Sequence, residues 1–423
     1  MQDLLLSVER ENGEGEGIAF ADGKAVFLPG AMMGDRVRAR IVQEARRYRR
    51  AEIVELIEPS PERIAPPCPY FGVCGGCAMQ HMPYERALGQ KERRVGDCLA
   101  RIGGIAREAY EMMPALGMEE PWRYRNKATV PIEDGAIGFY REGSHTVVPV
   151  GDCLLQKDVF SKALNATREW LREGGDARSL LVRVGSGGDV LAMLTTDATL
   201  RKAEGWAAQM RSALPSLRGA LFCRDADSAP AALFGDSEIR DESCGVATMV
   251  SARSFRQVNP AQAERLYTAA LSIAALNGGE TVIDAYCGAG IMTRLFAARC
   301  RSAVGIEIVS EAVGEARRAA EGVGNLHFLE GACEKHLPGM HCDVLVLDPP
   351  RKGCSTAVLR SALAANPSRI VYVSCDPATL ARDVKALAEG GYRLVRAQPV
   401  DMFPWTAHVE TVALLSRVEG SKT

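Results

Sequence analysis

Three short runs carry the side chains best suited to chemistry. The first, Asp343-Val344-Leu345-Val346-Leu347-Asp348-Pro349-Pro350, is an apolar strand ending in a carboxylate and two prolines. The prolines stiffen the loop that leaves the sheet. The second, Ile370-Val371-Tyr372-Val373-Ser374-Cys375-Asp376-Pro377, is a buried strand ending in a thiol. A cysteine at the carboxyl end of a strand, beside a turn and a following helix, can be exposed and act as a nucleophile. It can equally be one more buried thiol. The third run, Asp401-Met402-Phe403-Pro404-Trp405-Thr406-Ala407-His408-Val409-Glu410, gathers carboxylates, an imidazole and aromatic rings between the last two strands. Glu410 can serve there as a general base.

A second group of thiols lies far upstream. Cys68, Cys74 and Cys77 form a C-x5-C-x2-C array with two glycines inside it. Glycine lets the backbone turn sharply, so three sulfurs can converge on one soft metal centre. Cys153, in Gly151-Asp152-Cys153-Leu154, is the nearest candidate for a fourth ligand. Four thiolates suit zinc or an iron–sulfur cluster. The other cysteines, at positions 98, 223, 244, 287, 300, 333, 342 and 354, stand mostly in apolar contexts and read as core packing.

The run Val282-Ile283-Asp284-Ala285-Tyr286-Cys287-Gly288-Ala289-Gly290 reads as a strand, a Gly-rich turn and the start of a helix. Open α/β sheets bind ligands at the carboxyl ends of their strands. Glu307 ends the next strand, 17 residues past Gly290, where a carboxylate can hold ribose hydroxyls. The G-x-G-x-x-G pattern is absent and no phosphate-binding lysine follows. A nucleoside without phosphates, such as S-adenosylmethionine, fits better than a dinucleotide or triphosphate.

The elements that must position these groups fall into three expected domains. Residues 1–58 carry about five short alternating strands and read as a small β-barrel. Its segment 36–50 holds seven arginines, one glutamate and Tyr48. A solvated strand face is one reading; the other is a single-strand nucleic-acid surface, with cations on phosphates and rings on bases. Four prolines in 59–67 mark a linker. Residues 59–250, with a helix over 83–101, read as an α+β middle domain. From 251 to 423 strands and helices alternate, with strands over 281–285, 303–308, 326–329, 343–347, 369–373, 392–399 and 411–416. This pattern predicts a doubly wound, mostly parallel α/β sheet.

Composition bounds the rest. The 423 residues are 47% hydrophobic and 25% charged, as in an ordinary globular protein. No apolar run is long enough to span a membrane, and the amino terminus lacks the pattern of a secretory signal. The chain is read as cytoplasmic, with no membrane and no obligate protein partner. Net charge is −2, from 51 basic and 53 acidic residues, so any basic surface must be local.

A thiol, a carboxylate base and a methyl donor suit one reaction well, methylation of carbon 5 of uracil after attack of the thiol at carbon 6. With this in view, the chain resembles the RNA uracil-5-methyltransferases, in particular the branch acting on 23S ribosomal RNA. The resemblance covers nearly the whole length. It rests on the basic N-terminal barrel (similar to a TRAM domain), Cys68-x5-Cys74-Gly-Gly-Cys77 followed by Gln80-His81, Ser254-Phe255-Arg256-Gln257-Val258-Asn259, Asp284-Ala-Tyr-Cys-Gly, Asp348-Pro-Pro-Arg-Lys-Gly, Ser374-Cys375-Asp376-Pro377, and Asp401-Met-Phe-Pro through Glu410. It implies a Rossmann-like class I methyltransferase sheet of seven strands, Cys375 as nucleophile and Glu410 as base. Gln257, Tyr286, Glu307 and Asp348 would line the methyl-donor site. Cys68, Cys74, Cys77 and Cys153 would hold a [4Fe–4S] cluster that supports folding and RNA binding. The implied partner is 23S ribosomal RNA. A transfer-RNA uracil-5-methyltransferase and a non-catalytic RNA-binding factor are the alternatives.

Three positions depart from the family pattern. Asp376 stands where many members have Asn, and a carboxylate beside a thiol is expected to raise its pKa. Ala332 stands where Asp or Asn commonly meets the adenine. Trp405 stands where His is common.

Overall fold

The computed structural model describes residues 3–225 and 227–418. Strands β1 (Asp3–Ser7), β2 (Arg10–Glu11), β3 (Gly17–Ala21), β4 (Lys24–Leu28), β5 (Arg36–Glu44) and β6 (Tyr48–Glu58) form one sheet in the order β1-β5-β6-β4-β3-β2. It closes over a core that includes Leu6, Val26, Leu28, Val37 and Ala39. In β5 the side chains alternate, with Val37 and Ala39 inward and the arginines outward.

The expected basic face is largely neutralised. Antiparallel pairing sets Arg36 opposite Glu58, Arg38 opposite Glu55 and Arg40 opposite Glu52. Ion pairs join Arg36 to Glu58, Arg38 to Glu55, Arg40 to Asp3, Arg49 to Glu44 and Asp22, and Arg50 to Glu16. Among the described residues, only Arg46 and Arg47 of this group make no ion pair. They are exposed, with Tyr48, at the turn between β5 and β6.

Helix α1 (Tyr84–Arg101) follows the cysteine loop. Its buried residues Ala87, Lys91, Val95 and Leu99 recur every four positions, which makes one stripe. After β7 (Glu111–Met112), a seven-stranded sheet is built from β8 (Lys127–Glu133), β9 (Ala136–Tyr140), β10 (Val147–Pro149), β11 (Ser179–Val184), β12 (Val190–Thr195), β13 (Leu217–Cys223) and β14 (Ala231–Gly235). Helices α2 (Val159–Arg172) and α3 (Leu200–Ala213) cover it through Phe160, Leu164, Trp170, Trp206 and Met210. A hairpin of β15 (Glu238–Ser243) and β16 (Val246–Ser251) leads out of it.

The last sheet follows α4 (Pro260–Ala274). Its elements are β17 (Thr281–Asp284), α5 (Ile291–Ala297), β18 (Ser302–Glu307), α6 (Ser310–Ala319), β19 (Leu326–Glu330), α7 (Cys333–His336), β20 (Val344–Leu347), α8 (Thr356–Ala365), β21 (Arg369–Ser374), α9 (Pro377–Glu389), β22 (Tyr392–Val400) and β23 (Glu410–Arg417). The order is β19-β18-β17-β20-β21-β23-β22-β7. Strands β17 to β21 are mutually parallel, while β23 runs against both β21 and β22. Seven strands come from this part of the chain, as expected. The eighth, β7, pairs parallel to β22 from far upstream, with Glu111 beside Arg396. Every residue of β20 is buried, as a parallel sheet covered on both faces requires. One face packs on α4, α5 and α6, the other on α8, α9 and α1. Residues 84–116, placed with the middle domain by sequence, thus lie against this sheet. Among the described residues, no helix is long and apolar enough to cross a membrane.

Candidate active site

The candidate catalytic groups meet at one edge of the last sheet. Parallel strands end there at Asp284, Glu307, Leu347 and Ser374. The antiparallel β23 begins there at Glu410. Ser374 of β21 pairs with Thr411 of β23, so Cys375 and Glu410 stand side by side, each one step beyond that pair. Asp348 follows the neighbouring strand β20.

Their charges are interdependent. Burial, then the Asp348 carboxyl, pushes Glu410 up to about 8. Burial, then Asp284, pushes Asp348 up to about 7, and burial also brings Asp284 to about 7. The Cys375 thiol rises to about 11 through burial and the carboxyls of Glu410 and Asp348, while Arg351 pulls it down. Asp376 acts differently from the sequence expectation. Its Oδ1 accepts the Ala378 and Thr379 N–H groups at 2.9 and 3.0 Å, capping α9. The opposition to thiolate formation comes from burial first, and then from Glu410 and Asp348 at the ends of neighbouring strands.

The loop 401–409 is clamped from several sides. Lys91 of α1 forms a buried ion pair with Asp401 and donates to the Phe403 carbonyl at 3.0 Å. Tyr84 donates to the second Asp401 oxygen at 2.7 Å. Arg94 donates to Ala407 O at 2.7 Å and Asn259 to Met402 O at 3.1 Å. Trp405 is buried at φ 68°, stacked on Trp122 with ring centroids 4.7 Å apart. Its carbonyl accepts the N–H groups of Ala78 and Met79, directly after Cys77. Partial burial and the cations of Arg351, Arg94, Lys91 and Arg125 keep the His408 imidazole below its ordinary pKa.

In the Gly-rich turn, Gly288 and Gly290 have φ of 53° and 75°. A Cβ on Gly290 would come within 2.6 Å of the Phe328 ring. Glu307 accepts the N–H of Gly288 at 3.0 Å and of Val309 at 2.8 Å, which ties the turn to the end of β18. Ile308 beside it is exposed. Thr293 donates to Asp284 Oδ2 at 2.7 Å, while Oδ1 is buried without a partner. Tyr286 packs into the core towards Cys354. Ala332, at the N-cap of α7, offers no polar side-chain atom.

Gln257 is half-buried in the loop between β16 and α4. Two residues here were given no role by sequence. Phe255 is 80% exposed. Tyr267 of α4 is pushed above its ordinary pKa by burial and then by Asp348. Its place on an amphipathic helix concealed it, and the exposed aromatic in the quoted Ser254–Asn259 motif was the available signal for Phe255.

Cys68, Cys74, Cys77 and Cys153 line a single cavity of about 270 Å³ with Tyr70, Gln80 and Arg125. Burial, with the neighbouring thiols, raises Cys77 to about 12. Burial also raises Cys74 and Cys153. Among the described residues, no three His, Cys, Asp or Glu side chains are drawn close enough to hold a metal ion. The donor set is nevertheless the all-thiol one a soft centre needs. Six of the eight remaining cysteines are buried, as core packing requires.

Residues 245–418 match the family model "tRNA (Uracil-5-)-methyltransferase", and residues 2–54 match the TRAM domain. An uncharacterized RNA methyltransferase of Halalkalibacterium halodurans is 40% identical, over 97% of this chain and 96% of its own. Another from Clostridium acetobutylicum is 35% identical, over 99% and 97%. The fold is similar to that of the tRNA (uracil-54, C5)-methyltransferase of Pyrococcus abyssi, solved with S-adenosyl-L-homocysteine, with a TM-score of 0.77 at 24% identity over 97% of this chain and 100% of that one. The chain belongs to the RNA uracil-5-methyltransferase family, with a class I methyltransferase sheet and an N-terminal TRAM domain.

Proposed function

We propose that the protein transfers a methyl group from S-adenosylmethionine to carbon 5 of a uridine in 23S ribosomal RNA. The observation that carries this reading is the pairing of Cys375 with Glu410 at adjacent strand ends beside Asp348. S-adenosylmethionine, bound along the Gly288–Gly290 turn, supplies an electrophilic methyl group. Glu307 would hold its ribose hydroxyls, and Gln257, Asp348 and the uncovered part of the half-buried Tyr286 would line the remainder of its site. The Cys375 thiolate adds to carbon 6 of the uracil, which makes carbon 5 nucleophilic towards that methyl. Glu410 then takes the carbon-5 proton, the double bond re-forms, and the thiolate leaves. The target uridine must leave its stack to reach Cys375. Phe255, exposed on the loop that leads to Gln257, offers a ring for a neighbouring base. The cations of Arg351, Arg94 and Arg125 act together on His408, so basic charge is gathered there although the whole chain is weakly acidic. The test is Cys375→Ala, which abolishes both methyl transfer and covalent capture by 5-fluorouracil-containing RNA. Retained transfer would sink the mechanism.

Cys68, Cys74, Cys77 and Cys153 would hold a [4Fe–4S] cluster. Bound there, it would supply four strong bonds that fix the loop, and no step of the reaction. The shared cavity supports this; iron and sulfide analysis of anaerobically purified protein tests it.

The barrel and the cysteine set favour ribosomal RNA, since typical bacterial transfer-RNA members lack both. A transfer-RNA substrate is the second reading, favoured by the full-length fold likeness to the Pyrococcus enzyme. Mapping 5-methyluridine in 23S and transfer RNA from a deletion strain separates the two.

A further inference from the structure

A buried and a half-buried cation outside the reaction centre make a configuration that packing alone does not favour. Lys127 of β8 and Arg183 of β11 are directly opposite each other in the antiparallel ladder. Like charges in that arrangement destabilise a sheet. Arg183 is 1% exposed, and Lys127 is half-buried. Among the described residues, neither forms an ion pair with a carboxylate; the closest acidic influences on Arg183 are Asp241 and Glu315. Burial and mutual repulsion pull Lys127 down to about 8.

Both side chains donate instead to three consecutive carbonyls of the loop that follows β16. Arg183 Nε reaches Ala252 O at 3.4 Å, and its Nη2 bonds Ser254 O. Lys127 Nζ reaches Arg253 O at 3.3 Å and Ser254 O at 3.4 Å. The opposite side of the loop is held by α6, where Glu315 accepts from Ser254 Oγ and from Arg256 Nη2, each at 3.1 Å. With the carbonyls drawn inward and Ser254 and Arg256 tied down, Phe255 is the side chain left facing solvent.

We infer that Lys127 and Arg183 are positioning residues for the RNA substrate, holding the loop 252–256 so that Phe255 is presented to a base. This rests on the proposed role of Phe255. Cations on carbonyls fix the backbone without occupying the surface that RNA would use, and this accounts for two like charges being kept together below that surface.

The test is a double-mutant cycle on kcat/KM for RNA. Its substrate is total RNA from cells lacking the enzyme, with tritiated S-adenosylmethionine. Phe255→Ala and Lys127→Met are each expected to lower kcat/KM by about tenfold, the scale of one lost base stack. The KM for S-adenosylmethionine should be unchanged, and the double variant should fall no further than Phe255→Ala alone. Lys127→Arg restores most of the loss, and Arg183→Met, if it folds, repeats the pattern. Additive losses, or an unchanged kcat/KM in Lys127→Met, overturn the inference. A silent Phe255→Ala together with a defective Lys127→Met overturns the reading of Phe255, and the inference with it.

Discussion

Lys91 and Asp401, 310 residues apart in sequence, form an ion pair in which neither side chain is more than 1% exposed. The pair joins α1 to the root of the loop that ends at Glu410. Val400 and Glu410 are partners across β22 and β23, so Asp401 leaves the ladder beside the proposed base.

Lys91→Met strands a buried carboxylate and is expected to cost about 3–5 kcal/mol in urea unfolding. Adding Asp401→Asn should return much of that loss. A Lys91→Met protein as stable as the parent would show that the pair contributes little.

The proposed base sets a pH profile. Glu410 titrates at about 8, so kcat/KM should climb as pH rises towards that value and the carboxylate forms. Stability has the opposite sign. The folded-state pKa lies above the ordinary 4.5, so the folded protein holds the extra proton between 4.5 and about 8. Stability is full below the lower value and is lost as pH rises through the upper one. Glu410→Gln should remove this component, so its melting temperature gains on the parent as pH rises from 5 to about 8. Parallel melting curves would refute the assignment.

Gly290→Ala should destabilise the protein more than Gly288→Ala. Both positions have positive φ, where alanine costs roughly 1–2 kcal/mol. Only at Gly290 would the methyl also strike a ring, at 2.6 Å from Phe328. Calorimetry with S-adenosylhomocysteine should show weaker binding in Gly290→Ala. Equal melting temperatures would argue against the packing account.

The barrel arginines should not be equivalent. Replacing Arg46 and Arg47 by Gln should flatten the slope of log affinity against log salt by about 1.4 for single-stranded RNA. Replacing Arg36 and Arg38, already paired with Glu58 and Glu55, should change it less. The reverse ranking would move the RNA path off the β5–β6 turn.

These cases mark what local pattern can reveal. That Cys375 and Asp348 would meet at one sheet edge was legible because each follows an apolar strand and precedes a proline, and such strand ends converge in an open α/β sheet. The arginines of β5 were legible as a cluster but not as a ladder, since their glutamates belong to the facing strand and register decides the match. The effect of Asp376 was misjudged because adjacency in sequence says nothing about where a capping carboxylate turns. Nothing in the sequence around Lys91 points to Asp401, because that partner arrives only when the last strands pair. Two-residue β7 has no periodicity to read.

That last strand and α1 bear on how such a chain can be inherited. Exchange between relatives at a crossover near residue 250 would bring together a Lys91 from one lineage and an Asp401 from another, and would pair one lineage's Glu111 edge with the other's Arg396. Each buried partner constrains changes in the other, so the two halves must diverge in step. Separating the portion after 250 from the portion before it would leave β22 without β7, an open strand edge that invites association with other chains.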